Sequence, residues 1–286
     1  MPDTDGPSSS ACAKAPPTNF QALSDTGVAK AKLPLWKCFL LAILAGCYIS
    51  FGVALAITVG GQMPTVEKSD PGLQKIMMGL FGLPFGLTMT ILAGGELVTG
   101  NFMYMSCAAW EGRVTVREVL SRWSVAWLGN LVGSLLMVLL ITSAEVWDGK
   151  VAEQTAEALS ISKASQSLQR SFVRAILCNW LVCMACLFAS AAHDVTGKVF
   201  GIFIPTSSFI ALGFDHCVAN MFLIPVGMAY GNGVTVSEFL FRNIIPVTLG
   251  NLLAGVFFVA APYAFAYGSA SEKLSEILAR GAEDAS

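Results

Sequence analysis

Charge is scarce in this chain. Only 13% of its 286 residues are Asp, Glu, Lys or Arg, about half the share of an average soluble domain. The deficit is concentrated in six apolar runs, about 38–60, 76–110, 123–143, 171–191, 199–229 and 243–267. Each is long enough for the roughly 20 residues that a membrane-crossing helix needs. An ordinary soluble domain is excluded, and an all-α integral membrane protein in contact with a lipid bilayer is predicted. The formal net charge is −2, and no nucleic-acid partner is expected.

Histidine is scarcer still: His193 and His216 are the only two. They lie 23 residues apart, which excludes the HExxH pattern of an intramembrane metalloprotease. Cysteine is present eight times, mostly inside apolar runs. The Cys183–Cys186 pair has no second pair and no local histidine, so a zinc site is not supported. No disulfide framework, metal or cofactor is expected. The N-terminus lacks the apolar core of a secretory signal, and Asp3 and Asp5 do not suit an acid-poor transit peptide.

What is present divides the chain into three parts. Residues 1–33, rich in Pro, Ser and Ala, read as a disordered tail. Residues 34–268 form a six-helix transmembrane domain. Residues 269–286 form a polar tail with a short polar-faced helix. Six crossings put both termini on one side. A modest excess of Lys and Arg there predicts cytoplasmic termini in a plasma membrane or bacterial inner membrane.

Motifs recur in the same order in both halves, about 120 residues apart. GGELVTGNFM (94–103) is matched by GFDHCVANMF (213–222), and WLGNLVG (127–133) by VTLGNLLAG (247–255). Each half carries three runs, so the second must enter the membrane from the opposite face. Two inverted repeats follow, about 34–145 and 165–268, a plan used by transporters. The second and fifth runs exceed thirty residues, which as straight helices would reach roughly 45–50 Å against a core of about 30 Å. Helices broken at the glycines are predicted, with Glu96 and Asp215 capping the half-helices that follow. His216 falls inside the fifth run, where an ionisable side chain points to function by default.

GGELVTGN, GFDHCVANMFLIPVGM and NIIPVTLGN together resemble the formate/nitrite transporter family, over about residues 25–268. The resemblance implies an aquaporin-like protomer in a homopentamer, with one pore per protomer. It puts His216 on the central pore histidine and Thr99 on the threonine of the first break. Lys163 matches a loop lysine near the outer vestibule, and Asn179 and Asn251 match pore-side asparagines. Leu87, Leu97 and Val98 fall on the inner constriction, where Val98 replaces a residue that is often Phe. Phe209 matches half of the outer constriction. The other half, usually Phe, is Leu83 here, flanked by Phe81 and Phe85.

The implied substrates are small weak-acid anions, and lactate and hydrosulfide also occur in the family. An unpaired charge in a low-dielectric passage costs many kcal/mol. Protonating a carboxylate at neutral pH costs roughly 4 kcal/mol. Proton-coupled passage is therefore expected, with Lys163 attracting the anion and His216 near the site of protonation. Rival readings have less behind them. No nucleophile motif surrounds Ser207 and Ser208, so a hydrolase is not supported and no catalytic residue is assigned. A water or glycerol channel with a structural histidine would want paired Asn-Pro-Ala motifs, where TGN and VAN stand instead. A pure scaffold would not need a titratable group inside the membrane. His193, beside Asp194, is expected to be a solvated loop residue.

Overall fold

The computed structural model describes residues 13–269, and its regular elements are helical. In chain order they are α1 (Pro16–Ala31), α2 (Leu35–Val59), α3 (Pro64–Ser69), α4 (Pro71–Leu80) and α5 (Leu83–Leu92). There follow α6 (Val98–Trp110), α7 (Val116–Ser143), α8 (Val151–Ala164), α9 (Leu168–Ala191), α10 (Val195–Ala211) and α11 (Cys217–Ala229). The last stretch, Glu238–Tyr267, is a continuous helical rod. Within it, α12 (Ile245–Leu253) and α13 (Ala261–Tyr267) are each preceded by π-helical turns, Glu238–Ile244 and Ala254–Ala260.

Among the described residues, five stretches are long and apolar enough to cross a membrane: Leu35–Val59, Pro71–Leu92, Val116–Ser143, Leu168–Ala191 and Glu238–Tyr267. The run over 199–229 is divided between two shorter apolar helices, α10 with 17 residues and α11 with 13. The starts of several helices are written locally. Thr115 and Glu118 form a reciprocal capping box at α7, Ser167 caps α9 and Asp194 caps α10. Each such cap is worth about 1 kcal/mol.

Burial runs opposite to that of a soluble bundle. Large apolar side chains stand on the outside, among them Leu139, Phe200, Ile204 and Phe241. In water such a surface would be an aggregation hazard, whereas hydrocarbon tolerates it. The interior is built around α11, buried from Cys217 to Gly227 and packed against α2, α7 and α8. Helices α2 and α7 pack closely, as do α9 and α12. Small residues permit both approaches: a Cβ on Gly129 would fall 2.5 Å from that of Ala42, and one on Gly250 would run into the Phe172 carbonyl.

Two expectations are corrected here. The tail predicted as disordered over 1–33 contains a helix, α1, whose Phe20, Leu23 and Ala31 are buried. Those residues fall on one helical face that packs against α6 and α9. The stretch lacks the length and hydropathy of a span, which hid it. Lys163 is not in a loop: it sits in the last turn of α8. The polar helix expected after the final span lies outside the described residues.

Candidate functional site

Two non-helical pentapeptides position the site. Residues 93–97 separate α5 from α6, and residues 212–216 separate α10 from α11. Each has at its second position a glycine in the left-handed region just past a helix end, Gly94 at φ 80° and Gly213 at φ 74°. That conformation stops a helix, and glycine adopts it without penalty. Each closes on an extended residue, Leu97 and His216, that starts the next helix.

The first free N–H group of each of those next helices is satisfied from another helix. Asn130 on α7 accepts the Val98 amide through Oδ1 at 3.0 Å. Its Nδ2 donates to the carbonyls of Ala42, at 2.8 Å, and Glu96, at 2.9 Å. Asn251 on α12 accepts the Cys217 amide at 2.9 Å and donates to the carbonyls of Ala175, at 2.8 Å, and Asp215, at 3.1 Å. The prediction that Glu96 and Asp215 cap these helices is therefore wrong. Their carboxylates are engaged sideways, by ammonium and amide groups, because a longer reach to a lysine neutralises a buried charge.

Glu96 accepts from Lys30 at 2.7 Å and from Asn101 Nδ2 at 2.8 Å. Asp215, fully buried, pairs with Lys163 at 2.9 Å and accepts from Asn220 Nδ2 at 3.2 Å. Lys163 also donates to the carbonyls of Phe214, at 3.0 Å, and Gly213, at 3.3 Å. Three acceptors surround its three N–H groups, and its charge is balanced. The attraction expected of a free lysine at that position is thus largely cancelled.

Between the two pentapeptides, Thr99 Oγ1 lies 2.9 Å from His216 Nε2. The other ring nitrogen, Nδ1, accepts the Ala219 amide at 3.1 Å, so the histidine itself helps cap α11. Phe209 stacks on the imidazole with ring centres 6.1 Å apart. Asn179 donates to the carbonyl oxygens of Thr99 (3.3 Å) and Asn251 (2.6 Å) and ties α9 to α6 and α12.

A cavity approaches this centre from each side. One, of about 580 Å³, lies under α8 and is lined by Leu83, Phe209, Phe214, Lys163, His216 and Asn220 among others. The second, of about 310 Å³, lies under α1 and touches Lys30, Leu87, Glu96, Leu97, Asn101 and Tyr104. Val98 is fully buried and borders neither. Phe81 and Phe85 are about half exposed and do not border the first cavity, so of the three it is Leu83 that lines it together with Phe209. His193 is exposed in the bend between α9 and α10. Sequence reasoning missed Lys30 and Asn130. Asn130 carried a signal, since it stands in WLGN where Asn251 stands in TLGN.

The comparisons agree on a family. The chain is 40% identical over 269 residues to a probable formate transporter of Methanothermobacter thermautotrophicus, covering 89% of this chain and 97% of the relative. Among solved structures it resembles an FNT family ion channel, with TM-score 0.79 and 28% identity, over 87% of this chain and 98% of that one. It also resembles a pentameric formate channel with formate bound, with TM-score 0.71 and 29% identity, over 82% and 97%. The family model described as formate/nitrite transporter matches residues 17–265, and the chain belongs to that family.

Proposed function

We propose that this chain forms a proton-linked passage for small monovalent weak-acid anions. Formate and nitrite are the first candidates, and related monocarboxylates such as lactate are further ones. Its spans are read as six, in two inverted repeats, with α4–α6 as the second and α10–α11 as the fifth. The matched hydrogen bonds of Asn130 and Asn251 support that pairing. The similar formate transporter supports the substrate class, and the similar pentameric formate channel supports a homopentamer with one aquaporin-like pore per protomer. Both termini are placed in the cytoplasm, so the cavity under α8 opens outward and the one under α1 inward.

The observation that carries the reading is the hydrogen bonding of His216. Its Nδ1 accepts a backbone N–H, so that nitrogen carries no proton. The neutral ring then holds its proton on Nε2 and donates it to Thr99 Oγ1. The Thr99 hydroxyl proton is left to be offered to a small acid in the passage. Protonating Nδ1 as well would set two N–H groups against each other and undo the cap. The ring therefore acts as a neutral donor, and the translocated proton joins the anion from vestibule water.

Beyond the vestibule the walls are apolar, with Leu83 and Phe209 on one side and Leu87 and Leu97 on the other. Crossing them as the neutral acid costs roughly 4 kcal/mol of protonation, far below the cost of an unpaired ion there. Lys163 keeps the outer path from presenting a bare buried carboxylate at Asp215. Uptake of labelled formate, nitrite and lactate into proteoliposomes tests the reading. Uptake is expected to rise as external pH falls from about 8 towards about 5, nearer the carboxylic acid range. Equal uptake across that range, with voltage-driven current throughout, would overturn proton coupling.

A further inference from the structure

We propose that two charges at the rim of the cavity under α8, Lys75 and Glu67, set the apparent affinity for the anion by acting on it in opposite directions. The proposal rests on the transport reading above. The cavity runs from His216 and Phe209 outward to a rim that carries Glu67 of α3 and Lys75 of α4. The charged side chains in its lining are Glu67, Lys75 and Lys163. Lys163 is committed: it pairs with Asp215 and donates to two carbonyls, and only 14% of its side chain is exposed.

Lys75 and Glu67 differ from it. Both are exposed, and among the described residues neither forms an ion pair. Their charged neighbours Lys68 and Asp70 do not border this cavity. An anion arriving from water therefore meets one uncompensated cation and one uncompensated anion before it reaches the apolar passage. Charge at a mouth changes the local concentration of an ion and is weakened by salt. It does not act on the neutral acid deeper in. The two residues should move half-saturation and leave the maximal rate alone.

The test is formate uptake by the full-length protein in proteoliposomes, at an ionic strength of about 10 mM and again at about 1 M, where the screening length falls from about 30 Å to about 3 Å. At low salt, Lys75→Gln should raise half-saturation about twofold and Glu67→Gln should lower it about twofold, the effect of one unit charge some 10 Å from an ion in water. The double variant should return close to wild type, and both shifts should vanish at high salt. Shifts of the same sign, shifts that persist at high salt, or none at low salt would overturn the proposal while leaving the transport reading intact. A wild type that takes up none of formate, nitrite and lactate would overturn both.

Discussion

Asn130 and Asn251 make the same set of three hydrogen bonds from two different helices. Each accepts the first amide of a helix that starts inside the bundle, and each donates to the carbonyl of the acidic residue just before it. The third bond of each ties in a neighbouring helix, at Ala42 and at Ala175. With both N–H groups donated and Oδ1 engaged, each side chain holds backbone in place and has no hydrogen-bond donor left for an anion.

Asn130→Ala and Asn251→Ala should therefore both destabilise the protein, each by on the order of 3 kcal/mol for the buried groups left unpaired. Thermal unfolding followed by size-exclusion chromatography measures this. An Asn251→Ala variant with wild-type stability and lost uptake would make that residue a substrate contact instead.

His216→Asn should keep the cap on α11, since asparagine is among the best capping residues. The imidazole's reach to Thr99 would go, and formate uptake should fall at least about tenfold, which needs only about 1.4 kcal/mol on the barrier. His216→Phe removes both functions and should also lower stability. Normal uptake with unchanged pH dependence in the Asn variant would reduce the histidine to a structural bridge.

Lys163→Ala strands the fully buried Asp215 carboxylate beside the path. Breaking a buried pair from one side typically costs about 3–5 kcal/mol. Uptake and stability should both suffer. The double variant Lys163→Ala/Asp215→Asn should recover most of each, because no charge is left to compensate. If the double variant is no better than the single, the lysine acts on the anion directly.

Leu83 and Phe209 both border the cavity under α8, and Phe81 and Phe85 do not. Leu83→Phe should narrow that aperture. Lactate uptake should fall about tenfold, the scale set by a methylene-sized misfit in an apolar site, while formate uptake changes little. Competition uptake with both labels in one vesicle preparation reads the ratio directly; an unchanged ratio would remove Leu83 from the size filter.

Part of this was legible in the sequence because it depends on local pattern. Apolar runs reveal membrane-crossing helices through their length alone, and the glycines of GGELVTGN and GFDHCVAN mark where a helix must stop. The matched LGN motifs align Asn130 with Asn251, but not the backbone groups that each one bonds. Helix α1 was missed because its evidence is a sparse face of Phe20, Leu23 and Ala31, visible as such only against the helices it covers.

By itself, the sequence determined an all-helical membrane chain, its family, and His216 as the ionisable group inside an apolar run. Only the tertiary structure decided what each polar side chain does there. Carboxylates that look like caps in sequence are drawn to Lys30 and Lys163, 66 and 52 positions away along the chain, for Glu96 and Asp215 respectively. The amides they left free are taken by asparagines on α7 and α12. The reason is physical. A buried charge needs an opposite charge within a few ångströms, and a helix end needs an acceptor at one point in space. Both are satisfied by whichever residue the packing brings there, and neighbours in sequence have no special claim.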